Sequence, residues 1–186
     1  MKYTDDQILE CIKDVKKIDK GFRMLMDNYQ SKLYHHIRIL VGDHEDANDV
    51  LQNAFIKAFR NIDKFEERSS LFTWLFKIAT NESMSYIENQ KKRQLITESI
   101  ENHENDKYVS GNANLTADFI RAALDKAIDE LPHQQKTIFS LRYFEEMSYN
   151  DISGILGVTN GSLKASYHHA VKKIENYLKY LSANEI

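Results

Sequence analysis

The sequence predicts an all-α fold of two small helical domains joined by a flexible acidic linker. Glycine and proline number 6 and 1 in 186 residues, about 4% where ~12% is usual, and a β-rich chain of this length needs many more turn formers. Apolar residues recur at three- and four-residue spacing along most of the chain, which is helical periodicity. Residues 94–117 break that pattern. They are rich in asparagine and carry Glu98, Glu101, Glu104 and Asp106 against Lys107. Such a stretch buries too little apolar surface to offset its chain entropy. The expected boundaries are therefore 1–93, 94–117 and 118–186.

Each helix has its own signals. Thr4 with Gln7 forms a capping-box pattern ahead of Ile8, Cys11, Ile12, Val15 and Ile18. After Gly21 a second stripe runs Phe22, Leu25, Met26, Tyr29, Leu33, Ile37, Leu40, and Gly42-Asp43 punctuates it. The third is Val50, Leu51, Ala54, Phe55, Ala58, Phe59, Ile62. A charged loop with Asp63, Glu66, Glu67 and Arg68 follows. Ser69 or Ser70 then caps a helix carrying Leu71, Trp74, Leu75, Ile78 and Ala79, which ends at Lys91-Lys92-Arg93. Beyond the linker, Ile120, Ala123, Leu124, Ala127, Ile128 and Leu131 share a face. Pro132 suits the first turn of a helix running to about Phe144. Ser148 to Asp151 caps a short helix with Ile152, Ile155 and Leu156, and Gly157 falls where a tight turn needs positive φ. The last helix starts near Thr159–Ser162.

Composition excludes several classes. No apolar run approaches the ~20 residues of a membrane span, and no signal-peptide pattern opens the chain, so no membrane insertion and a cytoplasmic location are expected. The single cysteine, Cys11, rules out an internal disulfide framework and a cysteine-rich zinc site, and reads as a small buried apolar residue. An enzyme reading would build a metal site from His35, His36, His44, Asp43, Glu45 and Asp46. Adjacent histidines face different sides of a helix, and no His-x-x-x-His or Glu-x-x-His pair organises these residues, so no catalytic residue, metal or cofactor is assigned.

The chain's net charge of −3 does not advertise nucleic-acid binding, but its distribution is informative. Residues 148–181 hold Lys164, Lys172, Lys173 and Lys179 against Asp151 and Glu175. There, a short helix, a glycine turn and a second helix match the helix-turn-helix pattern. At ~100° per residue, Leu163, Tyr167, Ala170, Val171 and Ile174 fall on one face. Lys164, Ala165, His168, His169, Lys172 and Asn176 occupy the other, supplying donors for base edges and cations for phosphates. A solvated helix in a bundle would show the same split.

Longer motifs separate these readings. Glu130-Leu131-Pro132-His133-Gln134-Gln135-Lys136, Leu141 to Phe144, Met147 to Ile152, Leu156-Gly157-Val158 and Gly161-Ser162-Leu163-Lys164 resemble region 4 of bacterial sigma factors, specifically the extracytoplasmic-function group of the sigma-70 family. Independently, Asp46 to Phe59 resembles that group's region 2 helix for binding RNA polymerase. Phe72 to Asn81 resembles the segment that melts and reads the −10 element. The resemblance covers about residues 20–93 and 118–180, with both motif sets in the expected order.

The resemblance implies an RNA polymerase sigma factor, not an enzyme, that directs transcription initiation at promoters. Its partners would be core RNA polymerase, promoter DNA (duplex at −35, melted at −10) and an anti-sigma factor. Asp49, Gln52 and Asn53 match positions that dock on the clamp helices of the polymerase largest subunit. The loop from Phe65 through Ser69 and Ser70, ahead of Trp74, matches the part that captures a flipped −10 base, which needs stacking and hydrogen bonds to stay unstacked. Lys77, Asn81, Lys91, Lys92 and Arg93 are placed to follow strand phosphates. Trp74 and Phe72 also suit a core, and Lys91–Arg93 also suits a helix end facing the macrodipole. For the −35 element the candidates are Ser162, Lys164, Ala165, His168, His169, Lys172 and Lys173. That helix has no arginine, so the bidentate fork for guanine is missing. A weakly basic reading face on an acidic protein binds DNA poorly alone, and holding both domains on polymerase raises their effective concentration. The alternative, a one-component helix-turn-helix regulator, leaves the first domain's docking motif without a use.

Overall fold

A computed structural model of the protein describes residues 2–97 and 117–184. The expected linker, apart from its first residues and its last, lies outside the described residues. Among the described residues every regular element is helical: α1 (Asp5–Lys13), α2 (Ile18–Val41), α3 (His44–Asn61), a 3₁₀ turn (Ile62–Lys64), α4 (Leu71–Thr97), α5 (Ala117–Asp129), α6 (His133–Phe139), a π-helical turn (Ser140–Phe144), α7 (Tyr149–Leu156) and α8 (Asn160–Asn184).

The caps explain where these helices begin. The Thr4 hydroxyl accepts from the Gln7 amide while the Gln7 side chain accepts from the Thr4 amide, closing the capping box of α1. Asp43 accepts from the amides of Glu45 and Asp46 at the start of α3, and those bonds hold its carboxyl below the ordinary range. Ser70 is the residue that caps α4, its hydroxyl accepting from the Thr73 amide at 3.1 Å. Ser148 accepts from the Asp151 amide, and Gly157 ends α7 at φ +68°. That left-handed turn sets the angle between α7 and α8, and a hydrogen bond from the Asn160 side-chain amide to Asn150 Oδ1 (2.7 Å) braces it.

Several details depart from the sequence pattern. The first apolar stripe is two helices: Asp14 takes an extended conformation and binds Lys17 at 3.0 Å, leaving Val15 86% exposed. Gly21 does not precede α2 but lies buried within it, where α1 crosses so closely that a Cβ would stand 2.6 Å from Ile12 Cγ1. Pro132 sits at the N-cap of α6, one residue before the first turn. The helix toward Phe144 changes hand-hold at Ser140, where the Glu145 amide reaches back five residues to the Ser140 carbonyl. Phe59 and Ile120, read as inward-facing, are about half exposed, and Cys11 is only half buried.

The core places the functional faces. Tyr29, Leu33 and Ile37 of α2, Val50, Ala54 and Ala58 of α3, and Leu71, Leu75, Phe76 and Ala79 of α4 form one buried cluster. Full burial of each large apolar side chain stabilises by ~1.5–3 kcal/mol. That cluster continues without a break into Ile138, Leu141, Met147, Ile152, Ile155 and Leu163 of the second half. A second cluster joins Ala127, Ile128 and Leu131 of α5 to Phe139, Ala170 and Ile174.

Candidate nucleic-acid interface

On α3, Ala47, Val50, Leu51, Ala54 and Ala58 are buried, so the helix turns Asp49, Gln52 and Asn53 outward together. All three are exposed, and Ile56 (42%) and Phe59 (51%) extend the same side with apolar surface. Phe59 is held by the Phe22 ring at 4.3 Å between centroids. Pattern reading placed Phe59 in the core because its helical phase borders the buried stripe.

At the start of α4, the rings of Phe65 and Trp74 lie 5.3 Å apart, both half buried. One side of this pair packs on the core while the loop that precedes α4, including Ser69 and Ser70, remains exposed. Trp74 is thus core on one side and available on the other. Ser70, Trp74, Lys77, Asn81 and Lys92 recur at helical spacing, so they share one stripe of α4, with Lys91 beside it. Lys77, Asn81, Lys91, Lys92 and Arg93 are exposed. Lys91 also approaches α6: burial first, and then Lys91 and Lys136, hold the His133 imidazole below its ordinary range. The Ser70 hydroxyl is already engaged by the cap and by Thr73.

In the second half, α7 and α8 cross about the Gly157 turn. Leu163 and Ala170 of α8 are fully buried and Ile174 nearly so. Ser162, Lys164, Ala165, His168, His169, Lys172 and Lys173 are all exposed on the outer side. His168 and His169 keep their rings 6.0 Å apart, and the Lys164 ammonium lies 5.8 Å over the Tyr149 ring. Arg142 also lies over that ring, at 5.2 Å, while donating to the Met147 carbonyl. Sequence reading missed Tyr149 because its value is positional: only the fold brings its ring beside Lys164 and Arg142.

It also missed the polar contacts that join the halves. His36 is fully buried, its Nδ1 2.8 Å from the Ser140 hydroxyl and its Nε2 2.9 Å from the Thr80 hydroxyl. Thr73, 8% exposed, reaches Asp151 of α7 at 3.5 Å. The sign in the sequence was a histidine in phase with Leu33, Ile37 and Leu40 on the buried face of α2.

Comparisons with known proteins agree with this geometry. The Sigma-70 region 2 family matches residues 25–93, and the Sigma-70, region 4 family matches residues 121–174. An ECF RNA polymerase sigma-E factor of Haemophilus influenzae is 32% identical, over 96% of this chain and 97% of its own. An RNA polymerase sigma-H factor of Pseudomonas aeruginosa is 30% identical over the same shares, and ECF sigma factor SigW of Bacillus subtilis is 28% identical over 94% and 98%. Among solved structures, the sigma factor RpoE in complex with the anti-sigma factor NepR from Bartonella quintana superposes with a TM-score of 0.71 at 24% identity, covering 86% of this chain and 98% of that one. CnrH in complex with the cytosolic domain of CnrY gives 0.67 at 18%, covering 95% and 99%. Those likenesses establish the fold. With both family matches in order and relatives similar along nearly their whole length, the chain belongs to the sigma-70 family as an RNA polymerase sigma factor of the extracytoplasmic-function group.

Proposed function

We propose that the chain docks on core RNA polymerase through Asp49, Gln52 and Asn53 of α3. α4 and the preceding loop then hold the melted −10 strand, and α8 enters the duplex groove at −35. In this reading Phe65 and Trp74 form the walls for a flipped base, with Ser69 and Ser70 at its rim. Lys77, Asn81, Lys91, Lys92 and Arg93 follow the phosphates along ~24 Å of helix from residue 77 to 93. Ser162, Lys164, Ala165, His168 and His169 face the bases and Lys172 and Lys173 the backbone, as in helix-turn-helix docking. Residues 1–93 and 118–186 serve as the two functional units.

The observation that carries this is shared by all three faces. On α3, α4 and α8 the assigned residues, apart from half-buried Trp74, are exposed while residues three or four positions away anchor the helix in the core. Among the described residues no helix is long and apolar enough to cross a membrane, which accords with work in the cytoplasm. The solved relatives in complex with anti-sigma factors support a partner of that kind here.

The test is co-elution of the purified chain with core polymerase, followed by footprinting on promoter fragments. The expected result is protection at both −35 and −10 only when polymerase is present. Protection by the chain alone, with no polymerase binding, supports a one-component regulator instead.

A further inference from the structure

We infer that α1 braces the loop ahead of α4 through the Lys13–Glu67 ion pair, which makes Lys13 a positioning residue for the melted −10 strand. This rests on the reading of that loop proposed above. The family match begins at residue 25 and leaves α1 without an assigned function. Yet the helix is held in one place by several independent contacts. Ile8, Leu9 and Ile12 are buried where α1 packs on α2. The Asn28 side chain accepts from the Lys2 and Tyr3 amides at 2.8 and 3.1 Å and donates to the Tyr3 carbonyl. The Tyr29 hydroxyl donates to Asp5, and Ile12 lies against Gly21, where no Cβ fits. Those contacts fix the point at which Lys13, the last residue of α1, leaves the helix.

The loop needs such a fixed point. Phe65 packs on Trp74 at one end, and Ser70 caps α4 at the other. Between them the backbone passes through Glu67 at φ +57°, a left-handed conformation that residues with a Cβ rarely adopt. It persists only where the surroundings hold it. Glu66 is tied within the loop, to Arg68 at 2.8 Å. Among the described residues, the one ion pair or hydrogen bond from residues 66–69 to another element joins Lys13 Nζ to Glu67 Oε1 at 2.9 Å. The residue with the strained backbone is the residue that α1 grips.

The two side chains are 70% and 56% exposed, so the pair adds little to global stability and salt screens it. Its effect is local. An exposed pair shifts an equilibrium by about 1.5- to 5-fold, which is enough to bias a short loop between conformations. The conformation at stake carries Phe65, one wall of the site for the flipped base. The pairing also neutralises a carboxylate two residues from that wall, where an unpaired Glu67 would repel the strand's phosphates.

The experiment uses Trp74, the only tryptophan in the chain, whose fluorescence reports on the loop with neither polymerase nor DNA present. Quenching by acrylamide, which is uncharged, should rise at least about 1.5-fold in Lys13→Glu, where attraction becomes repulsion. Lys13→Arg should match the parent. The swap of Lys13→Glu with Glu67→Lys should restore the parent's quenching, although both chains carry the same change at the end of α1. In the polymerase complex, discrimination between promoters that differ at one −10 base should fall about two- to fivefold in Lys13→Glu and return in the swap. Discrimination at −35 should not move. Quenching in Lys13→Glu equal to the parent's, or raised quenching that the swap does not reverse, overturns the brace. Raised quenching with −10 discrimination unchanged removes the positioning role. Weaker binding to every promoter, with Trp74 quenched as in the parent, makes Lys13 a phosphate contact and also overturns the brace. Failure of the −10 reading itself would show as a parent indifferent to −10 changes, and the quenching comparison would still decide for or against the brace.

Discussion

Replacing Asp49 and Gln52 together with alanine separates a docking face from a structural one. Both side chains are exposed on α3, so each change should move stability by no more than ~0.5 kcal/mol. Alanine's helix propensity, up to ~0.7 kcal/mol better than that of aspartate, biases the result toward slight stabilisation. Asp49 lies beyond the first turn of α3, where its interaction with the helix dipole has faded. Most interface residues cost under 1 kcal/mol on truncation and only the anchors cost more, so as anchors of the docking face the pair should lose at least about 2 kcal/mol, roughly 30-fold in Kd. Val50, on the opposite side and 3% exposed, supplies the control. Val50→Ala should cost about 2 kcal/mol of stability through two buried methyl groups and the space they leave, with little change in Kd below its melting range. The assay is titration of labelled protein with core polymerase, alongside thermal melting of both variants. A double variant that binds within twofold of the parent would refute the docking face.

Three other outcomes follow from the same geometry. Gly21→Ala gains about 1 kcal/mol of helix propensity but brings Cβ within 2.8 Å of the Ile12 backbone nitrogen. Overpacking of that kind costs ~1–3 kcal/mol, so the urea midpoint should fall, and a raised midpoint would show that α1 shifts freely. Lys164→Ala or His169→Ala should lose about 1–3 kcal/mol selectively at particular −35 bases. Base preferences unchanged at every position would remove α8 from the groove. Lys172→Ala or Lys173→Ala should weaken all promoters alike and reduce the salt slope by about one, which binding measured across a salt series reads directly.

Most of the helices were legible because their ends are written locally. Thr4, Asp43, Ser70 and Ser148 each supply a side-chain acceptor to the next turn, and Gly157 supplies the positive φ that turns α7 into α8. Local signals fail where the cause lies elsewhere in the chain. Val15 continues the apolar stripe of α1, yet Asp14 breaks the helix and turns it to solvent. Gly21 looks like punctuation, but it is a crossing point whose need for glycine comes from Ile12 on another helix. The outward faces of α3, α4 and α8 follow from periodicity alone, whereas their roles came from motif resemblance. What no periodicity reveals is the union of the halves. His36, Thr80 and Ser140 are distant in sequence, and each hydroxyl reads as an ordinary helix residue until the fold brings it to the imidazole.

Promoter reading by this chain is measured most directly by run-off transcription with core polymerase reconstituted with the purified chain, on a promoter library varied base by base at −10 and −35. Transcripts should start at one position and depend on both elements. Changes at −35 should be sensed differently by the Lys164→Ala and His169→Ala proteins than by the parent. Transcription that is no better than that of core polymerase alone on every promoter in the library, despite tight binding to core, would contradict promoter reading by this chain.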